Sequence, residues 1–262
     1  MSAAGEAFGA RLRWWRDRRG LSQLDLAGVA TVSQRHVSFL ESGRTQPSRD
    51  MVLRLAAALE LPLRQQNALL AAAGFAPAWQ EGDLATPALA PVAQALEHML
   101  RQQEPYPAVV VDRRWNLLKV NAGAVRLVSW LLGGVPEGPV NLAEALVSPA
   151  ALRPWLANWE AVAGYFLRGV QADALADGTA ETEALLQRLL AYPGVAALAQ
   201  AMTEPPQAPV LAMHFRKDAV SLELFTTIAT LGTPLDITLQ ELRVECFFPT
   251  DATTTGWFQG AA

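Results

Sequence analysis

Two side chains that could hydrogen-bond to DNA bases stand next to each other in a short polar stretch. Gln34 and Arg35 lie in the sequence SQRHVSFLESGR, which begins at Ser33. A glutamine amide can pair with the edge of adenine and an arginine guanidinium with that of guanine, because their donors and acceptors match the patterns in the major groove. These residue types therefore suggest contact with a DNA duplex, if one helix face presents them together.

A pair of short helices joined by a tight turn would position these side chains. Ser22 is suited to cap the first helix, and Asp25 follows it at the spacing of a capping box. Thr31 or Ser33 would cap the second helix, and Gly43 would end it. Residues 21–44 therefore predict a helix-turn-helix.

The period of the second helix decides which of its side chains face outward. Val37 and Leu40 point toward a core, and the polar residues at 34, 35 and 38 point away from it. Phe39 either belongs to the core or contacts a thymine methyl group. The predicted DNA-binding residues are Gln34 and Arg35 for the bases, Gln23 and Arg44 for the phosphates, and Ser33, Ser38 and Phe39 beside them.

Three further helices complete a predicted five-helix bundle over residues 1–76. Residues 8–18 carry apolar side chains on one face, Pro47 and Ser48 open a fourth helix, and Pro62 precedes a fifth. Connections of only a few residues indicate a compact all-α domain. Residues 1–80 hold ten arginines against six acidic residues, an excess that suits a polyanionic partner.

These motifs resemble those of the XRE, or lambda-repressor-like, helix-turn-helix regulators. The resemblance rests on SQLDLA at residues 22–27, VSQRHVSFLESGR at 32–44 and PSR at 47–49, and it covers roughly residues 5–75. It implies repressor-type binding to a pseudo-palindromic operator in double-stranded DNA, often as a homodimer. A helix-turn-helix module that docks onto protein is the alternative.

The composition is that of a globular chain. Apolar residues make up 51% and charged residues 18% of the 262 positions, which excludes general disorder. A single cysteine, Cys246, excludes an internal disulfide framework and a multi-cysteine metal site. No apolar run reaches about 18 residues. We therefore expect neither a membrane span nor a secretory leader, and a cytoplasmic location.

The composition changes after residue 76. Residues 77–91 contain the prolines, glycine and acidic residues typical of a linker. Beyond them the patterns predict a helix at 92–102, strands at 105–113 and 115–120, helices from 122 to 202, and strands at 210–215, 220–229 and 238–248. This is the element order of a PAS-type sensor. Residues 92–262 are therefore predicted to be an α+β, PAS-like domain with a five-stranded antiparallel sheet and room for a small ligand.

This second domain resembles the ligand-binding domain of MmyB-like regulators. The resemblance rests on PYPAVVVDRRWNLLKVN at residues 105–121, LAYPG at 190–194, and the final segment from FRKD at 215–218 to FFPTD at 247–251. It implies a PAS-like body that accommodates a fatty-acid-like or similar amphipathic ligand, with no obligatory cofactor.

An organic acid in such a pocket would need apolar walls and one or two polar anchors. Arg168 on a middle helix and Asn121 after the second strand are candidates, as is an arginine at the 112–114 turn, because arginine pairs with carboxylates. Otherwise Arg168 is a solvated helix residue and Asn121 a turn cap. The aromatic residues Trp115, Trp155, Trp159 and Phe166 form either pocket wall or plain core. The predicted ligand-binding residues are Trp115, Asn121, Trp159, Phe166 and Arg168.

Motifs of common enzymes are absent. The sequence has no Walker loop, G-x-G-x-x-G, H-E-x-x-H or G-x-S-x-G, so we expect no enzyme. A haem sensor would need His98 or His214 as an axial ligand, and a flavin sensor of the cysteine-adduct kind would need its thiol earlier than Cys246. Sensors with haem or flavin are the alternatives to a lipid sensor.

Overall fold

The structure is a computed structural model that describes residues 3–201 and 210–260. The chain divides into two units. The first spans Met1–Gly82 and Thr233–Gln240, and the second spans Asp83–Gly232 and Glu241–Ala262. Over the described ranges, no helix combines the length and the apolar character needed to cross a membrane.

Residues 3–72 form the predicted five helices. They are α1 (Ala3–Arg18), α2 (Gln23–Val29), α3 (Gln34–Glu41), α4 (Arg49–Ala58) and α5 (Leu63–Ala72). Serine hydroxyls cap three of them, because Ser22, Ser33 and Ser48 each accept a hydrogen bond from the backbone amide three positions further on. Ser33 and not Thr31 therefore caps α3, and Asp25 completes the predicted capping box at Ser22.

Apolar faces of all five helices meet in the core of the first unit. Its largest fully buried side chains include Phe8, Leu12 and Trp15 of α1 and Leu40 of α3. At Gly9, α1 approaches α3 so closely that a β-carbon would lie 2.5 Å from the backbone oxygen of Glu41. The close approach of these two helices thus depends on the missing side chain of Gly9.

The first unit also contains residues 233–240. Asp236 forms a parallel bridge with Gln80, and its carboxylate accepts a hydrogen bond of 2.8 Å from the Gly82 amide. The Gln240 side-chain oxygen accepts a hydrogen bond of 2.8 Å from the amide of Leu63, the first residue of α5. Helix α5 has no side-chain cap from its own N-cap residue, so Gln240 satisfies one of the amides that a helix start leaves without an intrahelical partner.

Within residues 83–201, 210–232 and 241–260, the second unit contains seven helices and five strands. An eighth helix, α12, begins in the first unit and ends at Glu241. The helices are α6 (Ala90–Gln102), α7 (Ala122–Leu132), α8 (Leu142–Val147), α9 (Trp159–Asp177), α10 (Ala180–Leu190), α11 (Val195–Ala201), α12 (Ile237–Glu241) and α13 (Ala252–Gln259). The strands are β1 (Ala108–Val111), β2 (Leu117–Val120), β3 (Ala212–Lys217), β4 (Val220–Ala229) and β5 (Arg243–Pro249). Short 3₁₀ turns occur at Pro87–Leu89 and Arg153–Trp155.

The strands form the predicted five-stranded antiparallel sheet in the order β2-β1-β5-β4-β3. Successive residues of a strand face opposite sides, so directly paired residues share a face. Val109, Met213, Phe215, Leu222, Leu224 and Phe247 lie on the face that packs against α7, α8 and α9. This layer between sheet and helices is the core of the second unit.

Two sequence predictions in this region are wrong. The strand predicted at 238–248 begins only at Arg243, because Asp236 accepts a hydrogen bond from the Leu239 amide (3.2 Å) and starts the helix α12. The strand predicted at 115–120 begins at Leu117, because Trp115 adopts a positive φ of 64° in the preceding turn. The C-terminal helix α13, capped by Asp251, was not predicted at all.

Candidate functional site

The first turn of α3 presents three polar side chains at the surface. Ser33, Gln34 and Arg35 are exposed, whereas Val37 and Leu40 behind them are fully buried. The Ser33 hydroxyl accepts a hydrogen bond of 3.2 Å from the His36 amide and so fixes the start of the helix. The predicted outward and inward faces of α3 are therefore as observed.

Phe39 lies half-buried on the surface of α3, outside the buried core of the first unit. The guanidinium carbon of Arg35 is 5.1 Å from its ring centroid, and that of Arg44 is 5.7 Å away. Cations at such distances are attracted to the negative face of an aromatic ring. Phe39 thus holds two predicted DNA-binding arginines around one ring, and Ser38 is half-buried beside it.

Gln23 is engaged with the far end of α3. Its side-chain amide nitrogen donates a hydrogen bond of 2.8 Å to Oε2 of Glu41. That nitrogen carries two hydrogens, and this bond uses one of them. The phosphate contact predicted for Gln23 therefore stays a prediction that relies on the second hydrogen.

A buried ion pair supports this surface from behind. Arg16 of α1 donates to both carboxylate oxygens of Glu41, at 2.6 and 3.0 Å, and to the backbone oxygen of Leu21 at 2.8 Å. Burial alone would raise the pKa of the Glu41 carboxyl, but hydrogen bonds from Arg16, Gln23 and Arg13 outweigh it and hold that pKa below its ordinary value. Arg16 thus ties α1 to the end of α3 and to the residues just before α2.

The second unit contains a small apolar cavity between its sheet and its helices. The cavity has a volume of about 50 Å³ and is lined by apolar residues only. They include Val109 of β1, Leu127 and Leu131 of α7, Phe166 of α9, Phe215 of β3 and Phe247 of β5. A cavity of about 150 Å³ is needed to hold benzene, so a long alkyl chain would have to displace some of these side chains.

Of the five predicted ligand-binding residues, Phe166 lines this cavity and Trp115 lies directly beside it. The Trp115 and Phe166 rings meet edge to face with centroids 4.8 Å apart. Trp159 does not line the cavity: its indole nitrogen donates to the Leu146 backbone oxygen (3.1 Å), and the Arg153 guanidinium lies 3.5 Å above its ring.

The two predicted polar anchors are also outside the cavity lining. Arg168 lies half-buried on α9. The Asn121 side chain accepts hydrogen bonds from the amides of Ala108 and Ala124 and donates to the oxygens of Leu100 and Tyr106. Backbone groups thus occupy both ends of this amide, which caps α7 and gives Asn121 a structural role. Its part in ligand binding stays a prediction.

Other candidates have partners or positions of their own. Arg113 pairs with Asp177 and lies 3.4 Å from Glu241, and Arg114 lies 3.8 Å from Asp112. His98 is exposed on α6, and His214 of β3 lies 3.9 Å from Glu223; neither lines the cavity. Burial, and then the charge of Glu245, raise the pKa of the Cys246 thiol.

The sequence interpretation missed a group of polar side chains in the second unit, namely the buried Glu245 and the half-buried ion pair of Asp173 and Arg243. Glu245 is 1% exposed although it carries a carboxyl group. The signal in the sequence was a glutamate inside the otherwise apolar run VECFF, where an exposed face would be the ordinary place for an acid.

Two family models match the chain. The one described as the MmyB-like transcription regulator ligand binding domain matches residues 92–259, and the one described as a helix-turn-helix domain matches residues 7–69. Among curated proteins, none matches the chain. The first model covers more than half of the chain and the second covers nearly all of helices α1–α5. The chain therefore belongs to the MmyB-like transcription regulators, with a DNA-binding helix-turn-helix domain followed by a ligand-binding domain.

Proposed function

We propose that this regulator reads a specific operator sequence through the exposed first turn of α3. The observation that carries the proposal is the joint exposure of Gln34 and Arg35 at the N-terminal end of that helix. This end reaches the base edges in helix-turn-helix proteins. Arg35 suits guanine and Gln34 suits adenine. Arg44 and the remaining amide hydrogen of Gln23 would bind the phosphates on either side.

The proposal includes a homodimer on a pseudo-palindromic site. Two copies of α3, related by twofold symmetry, would enter successive major grooves about one helical turn apart. Binding as a dimer would double the number of base contacts, because a single α3 presents only two strongly base-directed side chains. The operator should accordingly consist of two inverted half-sites.

We further propose that the second domain is a PAS-like sensor of a small apolar or amphipathic ligand, in the cytoplasm where the operator is accessible. The wholly apolar lining of the cavity supports such a ligand. A fatty-acid-like chain would enter by displacing lining side chains. Such a ligand can alter DNA binding only if it binds one arrangement of the dimer more tightly than another.

Selection from a random duplex library with the purified full chain tests the DNA proposal. We expect related sequences with two half-sites to be enriched, and the logarithm of the affinity to fall linearly with that of the salt concentration. Enrichment of no sequence, together with salt-insensitive binding, would contradict the proposal. A stable complex with another protein in place of DNA would favour the docking alternative.

Mass spectrometry of an organic extract from the folded full chain tests the sensor proposal. We expect a small lipophilic molecule in roughly stoichiometric amount. Recovery of haem or flavin would contradict a lipid-type ligand and favour a cofactor-bearing sensor.

A further inference from the structure

Four buried polar atoms without a hydrogen bond lie around one arginine of the second unit. Counting only residues 3–201 and 210–260, they are Trp115 Nε1, Asp173 Oδ2 and both carboxylate oxygens of Glu245. Arg243 Nη2 is 2.6 Å from Asp173 Oδ1, and its guanidinium carbon is 5.4 Å from the centre of the Trp115 ring. We call Trp115, Asp173, Arg243 and Glu245 the polar cluster.

The four atoms are unusual because folded proteins leave few buried polar atoms without a partner. An unmet donor or acceptor in the interior loses its water and gains nothing in return, so each one opposes folding. Their concentration in one place, inside a ligand-binding domain, indicates groups that are matched by a ligand. Three of the atoms are acceptors and one is a donor.

Neighbours of the polar cluster line the apolar cavity, although its four members do not. Glu245 of β5 is directly paired with Val109 of β1, so both side chains face the same side of the sheet, as does Phe247 two positions further on. Val109 and Phe247 line the cavity. On the helix side, the Trp115 ring contacts Phe166, which also lines it. A molecule with an apolar tail in the cavity would therefore have its head at the polar cluster.

The charges around this position disfavour an anionic head. Arg243 already neutralises Asp173, and the nearby Arg113 pairs with Asp177 and Glu241. The region therefore holds four carboxyl groups and only two guanidinium groups, once Glu245 is counted with the three paired acids. A carboxylate placed among them would be repelled, and it could accept hydrogen bonds but not donate them to the three unmet oxygens.

We propose that the polar cluster binds the head group of the regulatory ligand, and that this head group is a hydrogen-bond donor without negative charge, such as an amine, amide or hydroxyl. The inference rests on the proposed sensor function and refines it, because the fatty-acid-like ligand implied by the family resemblance would carry a carboxylate. The head donates to Glu245 and Asp173, and a hydroxyl or amide head also accepts from the Trp115 indole, whereas an ammonium head can only donate.

The ionisation of Glu245 agrees with this assignment. Burial raises the pKa of its carboxyl to about 7, although two groups act in the opposite direction. They are the Thr226 hydroxyl, which lies close to the carboxylate but outside hydrogen-bonding geometry, and the Arg243 charge. The charged or titratable groups that face it are Arg243 on its own strand and Asp173 on α9; Cys246, its chain neighbour, also interacts with it electrostatically. A cationic donor binds the ionised form, so its affinity rises as the pH increases through 7.

Isothermal titration of the full chain with octylamine, octanol and octanoic acid tests the proposal, because these probes share one chain and differ only in the head. At pH 7.5 we expect octylamine and octanol to bind at least tenfold more tightly than octanoic acid. The Glu245→Gln variant should weaken octylamine about tenfold and remove the pH dependence of its affinity. The Glu223→Gln variant, which makes the same change on the other face of the sheet, should bind like the wild type.

Each contrary result has a separate meaning. Tightest binding of octanoic acid, or octylamine binding that Glu245→Gln does not change, overturns the head-group proposal and leaves the sensor function standing. Absence of binding by all three probes overturns both. The Asp173→Asn variant provides a second reading should Glu245→Gln fail to fold, since it too should weaken octylamine.

Discussion

Arg16 and Glu41 form a buried, two-pronged ion pair that joins α1 to the last residue of α3, with Nε–Oε1 and Nη2–Oε2 distances of 2.6 and 3.0 Å. Removal of the carboxylate charge would take away the buried counter-ion of the Arg16 guanidinium and leave it with the solvent-exposed carboxylate of Asp17, 2.6 Å from Nη1. We expect Glu41→Gln to lower the free energy of unfolding of the first unit by about 3 kcal/mol. Hydrogen exchange of peptides from residues 8–18 in the full chain measures this loss of stability. Glu60→Gln is the control, because it makes the same change at an exposed position.

The same ion pair makes the stability of the first unit depend on pH. The folded-state pKa of Glu41 lies below its ordinary value, so its stabilisation is fully present above the unfolded-state pKa and is lost as the pH falls through the folded-state pKa. In Glu41→Gln this part of the acid destabilisation should be missing. If the wild type and Glu41→Gln lost the same free energy of unfolding at acid pH, groups other than Glu41 would account for the pH dependence.

The two arginines around Phe39 should differ in what their loss does to DNA binding. Arg35→Ala should relax base preference at one position of each half-site, at a cost of about 1–3 kcal/mol for the preferred base. Arg44→Ala should weaken all sequences alike and reduce the salt slope by about one ion per subunit. Competition binding with single-base operator variants at several salt concentrations separates the two.

The exposed Arg101 of α6 provides the control for that pair. Arg101→Ala removes the same charge from the second unit, and we expect it to change neither base preference nor salt slope. If all three substitutions had the same effect, net charge and not the position of Arg35 would account for binding.

Local signals were sufficient to predict the helix-turn-helix. Ser22 and Ser33 cap their helices through hydrogen bonds that span three residues, and the inward direction of Val37 and Leu40 follows from helical period alone. In the same way, runs rich in β-branched, leucine and aromatic residues predicted the five strands of the sheet.

What the sequence could not reveal depends on residues that are distant in the chain. The pairing of Gln23 with Glu41 joins positions 18 apart, and helix α12 forms where Asp236 meets Gln80. The polar cluster brings together three segments, and no local pattern links Asp173 to Arg243. The sequence interpretation therefore chose Asn121 and Arg168 as anchors from their residue types, although neither lines the cavity.

Glu245 should limit the stability of the second unit at neutral and higher pH. Its folded-state pKa is raised from 4.5 to about 7, so the protonated carboxyl is favoured in the fold. That stability is fully present below about pH 4.5 and is lost as the pH rises through 7. Between pH 5 and 8 the wild type should lose about 2–3 kcal/mol relative to Glu245→Gln, whose amide does not ionise. Hydrogen exchange of β5 peptides at both pH values measures the difference; parallel pH curves would contradict it.

Two helical glycines of the first unit should respond oppositely to alanine. Gly28 of α2 has open space where a β-carbon would lie, so Gly28→Ala should stabilise the first unit by about 0.5–1 kcal/mol through helix propensity alone. At Gly9 the same β-carbon would lie 2.5 and 2.6 Å from the backbone oxygens of Glu41 and Leu40, and backbone cannot swing aside like a side chain. Gly9→Ala should therefore separate α1 from α3 and destabilise the unit by about 1–3 kcal/mol.

Gly9→Ala should also strain the Arg16–Glu41 pair, so it should lower DNA affinity, whereas Gly28→Ala should not. Thermal unfolding and operator binding of the two full-length variants decide the matter, and equal stabilisation by both would show that α1 and α3 are not in close contact.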